Sequence, residues 1–274
     1  MSVIDIKPFA EKRILYADTD EPLEIVFTED KVKDIHKYEI TTPGKYQGKK
    51  GGVTAVTGFK DKSGPLMSWA VNMAIETLQE GGSYADAKAA HRKKKEKAGD
   101  IGTRVHYWIE QYLGGNELPY DPDMTESVQG FLRWFKASDL ETLHSERTVY
   151  SKRLDYAGRV DWVGMKDGKY GIIDWKTGKC DNQYSSYRKQ FTGKLRAKTD
   201  NIIQDGGYDL AIAEEDGRKA EFHGVLYIPV TGKVEYFQST ETETARQAFE
   251  ETLMAKRRWS QLEATNKYRE PTKS

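Results

Sequence analysis

Residues 156–176, YAGRVDWVGMKDGKYGIIDWK, decide the fold of this chain. Two runs rich in β-branched and aromatic residues flank Asp167-Gly168, a pattern that predicts two antiparallel strands joined by a two-residue hairpin turn. If these two residues form the loop, Lys166 faces Lys169, and every pair further along the hairpin is fixed by that register.

The same register brings two carboxylates together. Five positions beyond Lys166 and Lys169, Asp161 faces Asp174, with Cβ atoms roughly 5 Å apart on one face of the sheet. Lys176, two residues after Asp174, shares that face. Opposed like charges destabilise a sheet, and a bound Mg²⁺ or Mn²⁺ would offset the repulsion. Such an ion activates water and neutralises charge on a phosphoryl group, while Lys176 would orient the water or stabilise the transition state.

A surface hairpin with charges of both signs is the alternative interpretation of this stretch. The flanking apolar residues Val160, Val163, Ile172 and Ile173 favour a buried sheet instead. The facing of the two aspartates depends on the turn, because a slip of one residue would move the side chains to opposite faces.

The rest of the chain predicts a mixed α/β fold with a central sheet flanked by helices. Residues 1–60 are typical of a β-rich segment packed on the core, with one strand at Val53–Phe59. Residues 61–274 are expected to form the second and larger domain, with a helical insertion at about 64–138 and a further helix at about 200–215.

Composition excludes several classes of protein. The 274 residues include 31% charged, 37% hydrophobic and 11% aromatic residues, as in globular domains. The longest stretch without Asp, Glu, Lys or Arg, Ser63–Ile75, has 13 residues, whereas a membrane-spanning helix needs about 20. The first 20 residues hold four acidic residues and no apolar run, which predicts neither a secretory signal nor a transit peptide. The single cysteine, Cys180, excludes internal disulfides and indicates a reducing, cytoplasmic location.

The net charge is zero, but basic residues are clustered. Arg92–Lys97 is one such cluster, and the segment 177–199 interleaves basic and aromatic side chains. Such a segment suits a nucleic-acid backbone and its bases, although a solvated helix face is the alternative for each cluster. The predicted DNA-binding residues are Lys179, Tyr184, Tyr187, Arg188, Lys189, Lys194 and Arg196.

The ordered motifs carry a family resemblance. A G-x-x-D ending at Asp161, followed by a hydrophobic strand and D-x-K at Asp174–Lys176, resembles the PD-(D/E)XK nuclease superfamily. The RecB-like branch, which includes phage exonucleases and the mitochondrial genome-maintenance exonuclease, is the most similar. Three further features resemble this branch: Gly102–Glu110 with its histidine, Gln204-x-x-x-Tyr208, and Gly52–Gly58 followed by Trp69.

The resemblance implies a PD-(D/E)XK, restriction-endonuclease-like core and a role for each matching residue. Asp161 and Asp174 would ligate Mg²⁺ or Mn²⁺ together with the backbone carbonyl of Trp175, and Lys176 would be the catalytic lysine. The four-cysteine iron–sulfur cluster of some relatives is excluded by the single cysteine. The remaining implied residues are His106 as a further metal ligand, with Glu110, Glu146, Gln204 and Tyr208 as supporting residues.

One departure from the pattern concerns the Q-x-x-x-Y helix. Gly206 and Gly207 lie inside it, and each glycine costs a helix roughly 1 kcal/mol relative to alanine.

Together these features predict a metal-dependent DNA nuclease that hydrolyses phosphodiesters and acts as an exonuclease, and the resemblance implies that its product carries a 5′-phosphate. Its expected partners are single-stranded or end-containing duplex DNA and proteins of recombination, repair or replication, in a bacterial or phage-infected cell. A structure- or sequence-specific endonuclease of the same fold is one alternative. A DNA-end-binding protein without catalysis is another, although a binding module has no need for a buried pair of like charges.

Overall fold

The predicted hairpin forms the centre of the structure, a computed structural model that describes residues 8–30, 35–59, 63–119, 121–185, 190–230 and 233–265. Its strands are β6 (Tyr156–Lys166) and β7 (Lys169–Lys176), and Lys166 faces Lys169 as the turn predicts. Asp167 and Gly168 have φ of +50° and +73°. A two-residue turn with both residues in the left-handed region has the twist that a hairpin requires.

The other strands extend this hairpin into a large mixed sheet. They are β1 (Phe9–Leu15), β2 (Leu23–Asp30), β3 (Ile35–Ile40), β4 (Gly48–Gly52), β5 (Leu140–Ser151), β8 (Asp181–Ser185), β9 (Gln190–Arg196), β10 (Phe222–Tyr227) and β11 (Glu235–Ser239). The nine-stranded sheet runs β1-β2-β3-β4-β6-β7-β10-β11, with β5 paired to β6, while β8 and β9 form a separate ribbon. The β4–β6 and β7–β10 pairs are parallel and the other pairs antiparallel.

Helices cover both faces of the sheet, so the chain has the α/β architecture that the sequence predicts. They are α1 (Val53–Thr57), α2 (Ser63–Gln79), α3 (Tyr84–Leu113), α4 (Thr125–Lys136), α5 (Thr199–Asp216) and α6 (Thr242–Thr265). A 3₁₀ turn at Pro122–Met124 precedes α4. Within the described residues, no helix is both long and apolar enough to cross a membrane.

The buried residues form three clusters. Two lie on opposite faces of β6 and β7, and the third packs β1, β2 and β3 against Tyr150 and Ala157. On one face, α3 and α4 pack Val105 and Phe131 against Trp162, Ile173 and Trp175. The other face belongs to α1, α5 and α6, where the buried residues include Val160, Val163, Ile172, Tyr208 and Phe249. Because helices cover both faces, most residues of β6 and β7 are buried, which explains the nearly continuous apolar sequence of both strands.

The predicted strand at Val53–Phe59 is wrong, because this segment forms helix α1. Its two buried residues, Val53 and Val56, are three positions apart, which is a helical spacing. The β-branched residues favoured a strand locally, but packing against α5 and α6 decides the conformation. Residues 1–60, the predicted N-terminal segment, still supply β1 to β4 to the same sheet that holds β6 and β7.

The two glycines inside α5 are explained by the helix that packs on it. A Cβ at Gly206 would lie 2.3 Å from the backbone oxygen of Ala245, and a Cβ at Gly207 would lie 2.5 Å from the ring of Phe249. Only glycine permits α6 to approach α5 this closely. The helix predicted at about 200–215 is thus confirmed as α5, with Gln204 and Tyr208 both buried.

Candidate active site

The site lies where one edge of β6 changes partner. Strand β4 pairs with Tyr156 and Ala157, whereas the pairing with β7 ends at Trp162 opposite Ile173. Residues 158–161 therefore have no ladder partner on this edge among the described strands. The resulting gap opens into a cleft of about 370 Å³.

Asp161 occupies the end of this gap. Its Oδ2 accepts a hydrogen bond of 2.7 Å from the backbone N–H of Trp175, and its Oδ1 lies 3.6 Å from Nδ1 of His106. Burial would raise the pKa of this carboxyl, but the His106 and Lys176 charges and the Trp175 N–H together hold it below its usual value. Asp161 is therefore charged in the folded chain. The Trp175 backbone contacts Asp161 through its N–H group. Metal binding by the Trp175 carbonyl stays a prediction.

Glu146 faces Asp161 from the neighbouring strand. On β5, Ser145 pairs with Trp162 and Arg147 with Val160, which places Glu146 opposite Asp161. The backbone of Glu146 has a φ of +52°, a conformation that costs a non-glycine residue of order 1–3 kcal/mol and is found mainly at functional sites. Burial and the Asp161 charge raise the pKa of Glu146 to about 8.

Helix α3 adds His106 to these two carboxylates. Its Nδ1 lies 4.0 Å from Glu146 Oε1, and one ligand atom from each of His106, Glu146 and Asp161 lies within 4.8 Å of the others. Burial would lower the pKa of His106, but the neighbouring Asp161 and Glu146 raise it to about 8. Two facing carboxylates and an imidazole are donors that a divalent cation can bind.

Asp174 and Lys176 form a second, adjoining group. The Lys176 Nζ lies 2.5 Å from Asp174 Oδ2, and the Gln204 amide donates hydrogen bonds to Asp174 Oδ1 at 3.1 Å and to the Tyr208 hydroxyl at 2.8 Å. Gln204 and Tyr208 thus contact the site as the Q-x-x-x-Y pattern implies. Asp174 is not one of the three clustered ligands, and its two oxygens contact Lys176 and Gln204.

The charges within this second group are coupled. Burial raises the pKa of Asp174 to about 6 against the opposing effect of Lys176, and the Asp161 charge adds to the rise. Burial would lower the pKa of Lys176, but the Asp174 and Asp161 charges raise it above its usual value. Lys176 is therefore protonated at neutral pH.

Sequence reasoning missed Arg159, which supports Glu146. The Arg159 Nε donates a 2.9 Å hydrogen bond to the backbone oxygen of Glu146 and lies 3.3 Å from its Oε2. The Glu110 carboxylate also lies 3.0 Å from Nη2 of Arg159. Glu110 is one helical turn after His106 on α3, and the residue that it contacts is Arg159. The signal was available, because Arg159 shares the G-x-x-D motif with Asp161.

The predicted DNA-binding residues lie beyond Lys176. Lys179, Lys194 and Arg196 are exposed. Tyr184 lies on β8, but its side chain, like the whole of Tyr187, Arg188 and Lys189, is outside the described residues. Lys179 lines a cavity of about 270 Å³ that adjoins the cleft at His106, Lys176 and Thr177. A second basic segment, Arg92–Lys97 on α3, is exposed to solvent.

Comparisons with known proteins add little to this geometry. No protein-family model matches the chain, and no curated protein matches it. The crystal structure of an alkaline exonuclease from Laribacter hongkongensis aligns with 78% of this chain and 93% of that chain, at a TM-score of 0.31 and 14% sequence identity. Similarity this low assigns no function to this chain.

Proposed function

We propose that this chain is a metal-dependent DNA nuclease of the PD-(D/E)XK type, and that it acts as an exonuclease. The observation that carries the proposal is the cluster of His106, Glu146 and Asp161 beside the Asp174–Lys176 pair, in one cleft. Two carboxylates and an imidazole lie within ligand distance of one another, and burial together with the Asp161 charge raises the pKa of Glu146 to about 8. A resident divalent cation would offset the repulsion between the two carboxylates.

The donor set fits Mn²⁺ or Mg²⁺. The carboxylates of Glu146 and Asp161 suit either ion, and the imidazole of His106 favours the softer Mn²⁺. When bound, the ion would supply Lewis acidity to water and to a phosphate oxygen. Asp174 would join the ligands by exchanging its contact with Lys176 for one with the ion.

The other residues have roles that follow from their charges. Because Lys176 is protonated, it acts as a cation that stabilises negative charge developing on the phosphate, not as a base. Gln204 holds Asp174 in position, and Arg159 does the same for Glu146. In the reaction a water oxygen bonds to phosphorus and the bond from phosphorus to the 3′ oxygen breaks, which leaves a 5′-phosphate and a 3′-hydroxyl.

DNA as substrate, a role in recombination, repair or replication, and a cytoplasmic location remain part of this proposal. They are supported by the motif resemblance and by the exposed basic residues near the cleft, such as Lys179. The division into an N-terminal segment of residues 1–60 and a nuclease domain of residues 61–274 is also part of the proposal.

The test is a cleavage assay on end-labelled linear single- and double-stranded DNA with Mg²⁺, Mn²⁺ or EDTA. We expect metal-dependent digestion by the wild type and its loss, by at least a hundredfold, in Asp161→Asn and in Lys176→Met. Asp167→Asn is the matched control, because Asp167 is exposed in the turn of the same hairpin and asparagine tolerates its positive φ. Its activity should equal that of the wild type.

Other outcomes decide between the alternatives. Digestion of covalently closed circular DNA would show an endonuclease. DNA binding without cleavage by the wild type would support an end-binding protein, and cleavage that survives Asp161→Asn would reject the site.

A further inference from the structure

The cleft continues past the metal cluster to a wall that the N-terminal strands supply. Because β4 pairs with β6, strands β1 to β3 lie beside the site. Phe9, Phe27, His36 and Tyr38 line this part of the cleft, which we call its aromatic end. The His36 side chain is 52% exposed and Phe9 is partly exposed, whereas Phe27 and Tyr38 are buried beneath them.

The rings of the aromatic end support one another. Phe9 and His36 each pack edge-on against Phe27, with centroid separations of 5.6 Å and 5.0 Å. The His36 Nε2 lies 3.2 Å from the Tyr38 hydroxyl. The Arg159 guanidinium lies over the Phe9 and Phe27 rings, at 5.2 Å and 4.9 Å from their centroids. The remaining exposed parts of Phe9 and His36 provide a stacking surface for a planar group.

The aromatic end carries excess negative charge. The guanidinium of Arg159 lies at this end and contacts three carboxylates: Glu11 at 3.4 Å, Glu110 at 3.0 Å and Glu146 at 3.3 Å. Glu29 lines the same end. A phosphate would be repelled here, whereas carboxylates accept hydrogen bonds from the exocyclic amino groups of adenine, cytosine and guanine.

The opposite side of the site has the reverse character. The adjoining cavity of about 270 Å³ is lined by Lys176, Lys179 and Lys198, with Asn201 and Tyr227 completing its polar wall. Among its described lining residues there is no carboxylate. We call this the basic end, and its charge suits a phosphodiester backbone.

We infer that the aromatic end binds the terminal nucleobase of a DNA strand while the basic end holds the phosphodiester chain. This inference rests on the proposed function and adds the direction of the strand through the site. The scissile phosphate then lies between the two ends, at the metal cluster and Lys176. The wall formed by β1 to β3 stops the strand after one base, so the enzyme requires a free end and releases single nucleotides.

The experiment compares two single-stranded oligonucleotides of the same sequence. One has natural ends, and in the other the terminal nucleotide at each end is an abasic tetrahydrofuran. Stacking of a base on an aromatic side chain contributes about 1–3 kcal/mol, so the wild type should remove the abasic terminus about 5- to 150-fold more slowly. In Phe9→Ala this ratio should fall towards one.

Ile14→Ala is the matched control, since Ile14 lies on the same strand, is 51% exposed and is outside the cleft lining. It should keep the wild-type ratio. As a readout independent of cleavage, deoxyadenosine monophosphate should bind at least fivefold more tightly than deoxyribose 5-phosphate to the wild type, and this difference should shrink in Phe9→Leu. Equal removal of both termini by the wild type would overturn the inference while leaving the nuclease intact. Removal of neither would overturn the proposed nuclease function itself.

Discussion

Replacing Gly206 by alanine tests the contact that fixes α5 over the active site. The added Cβ would lie 2.3 Å, 2.4 Å and 2.7 Å from the backbone oxygen and carbon of Ala245 and the backbone nitrogen of Arg246. These are main-chain atoms and cannot rotate away, so α6 must shift. Overpacking of this kind costs about 1–3 kcal/mol.

An opposing gain must be subtracted to obtain the magnitude. Alanine favours a helix over glycine by roughly 1 kcal/mol, which leaves a net loss of up to about 2 kcal/mol for Gly206→Ala. Gly99 on α3 provides the control, because a Cβ there would meet nothing within 4 Å. Gly99→Ala should therefore raise the free energy of unfolding by up to about 1 kcal/mol.

Urea unfolding followed by circular dichroism measures both variants. We expect the midpoint to fall for Gly206→Ala and to rise for Gly99→Ala, with the slope m unchanged in each. If Gly206→Ala stabilises the protein as much as Gly99→Ala does, then α5 and α6 are not as close as described and the explanation for the glycines is refuted.

Three further predictions concern the rest of the structure. Arg104 and Asp121 form a buried ion pair between α3 and the turn before α4, so Arg104→Met should lower the free energy of unfolding by about 3–5 kcal/mol. In the same urea experiment, the double variant Arg104→Met with Asp121→Leu should recover part of this loss. If it recovers none, the two residues do not stabilise the protein as a pair. Because the pKa values of His106 and Glu146 lie near 8, protons compete with a metal ion below that pH. Titration calorimetry should show the affinity for Mn²⁺ rising up to about tenfold per pH unit for each proton displaced and levelling off above about pH 9. An affinity that does not change between about pH 6.5 and 9 would argue against these ligands. Ser83 caps α3 in a reciprocal capping box with Asp86, so thermal unfolding should show Ser83→Ala destabilised by about 1 kcal/mol, and an unchanged midpoint would mean that the first turn frays in the wild type.

The parts of the fold that were predictable are those whose signals are local. The Asp167-Gly168 turn specified its own backbone conformation, and the register that follows from it is observed as far as Trp162 opposite Ile173. The β6–β7 pairing ends there, one pair before Asp161 and Asp174. Apolar periodicity likewise located α5, although its two glycines argued against a helix. Their role depends on α6, which no window around Gly206 contains.

The parts of the site that sequence reasoning missed depend on contacts between distant segments. Phe9 and His36 reach the cleft only because β4 pairs with β6, and a two-residue parallel pairing has no sequence signature. Arg159 could have been noticed within its motif, but its three carboxylate contacts come from separate strands and a helix. The positive φ of Glu146 has no local cause, since glutamate has no preference for that conformation.

The close approach of α6 to Gly206 and Gly207 on α5 also affects the chain while the ribosome is synthesising it. A growing chain completes α5 before α6, and until α6 emerges Gly206 and Gly207 disfavour the α5 helix without any compensating packing. Gln204 and Tyr208 then have no fixed position over Asp174. A partly made chain on the ribosome therefore carries every proposed metal ligand before α6 is present to hold α5 in place over them.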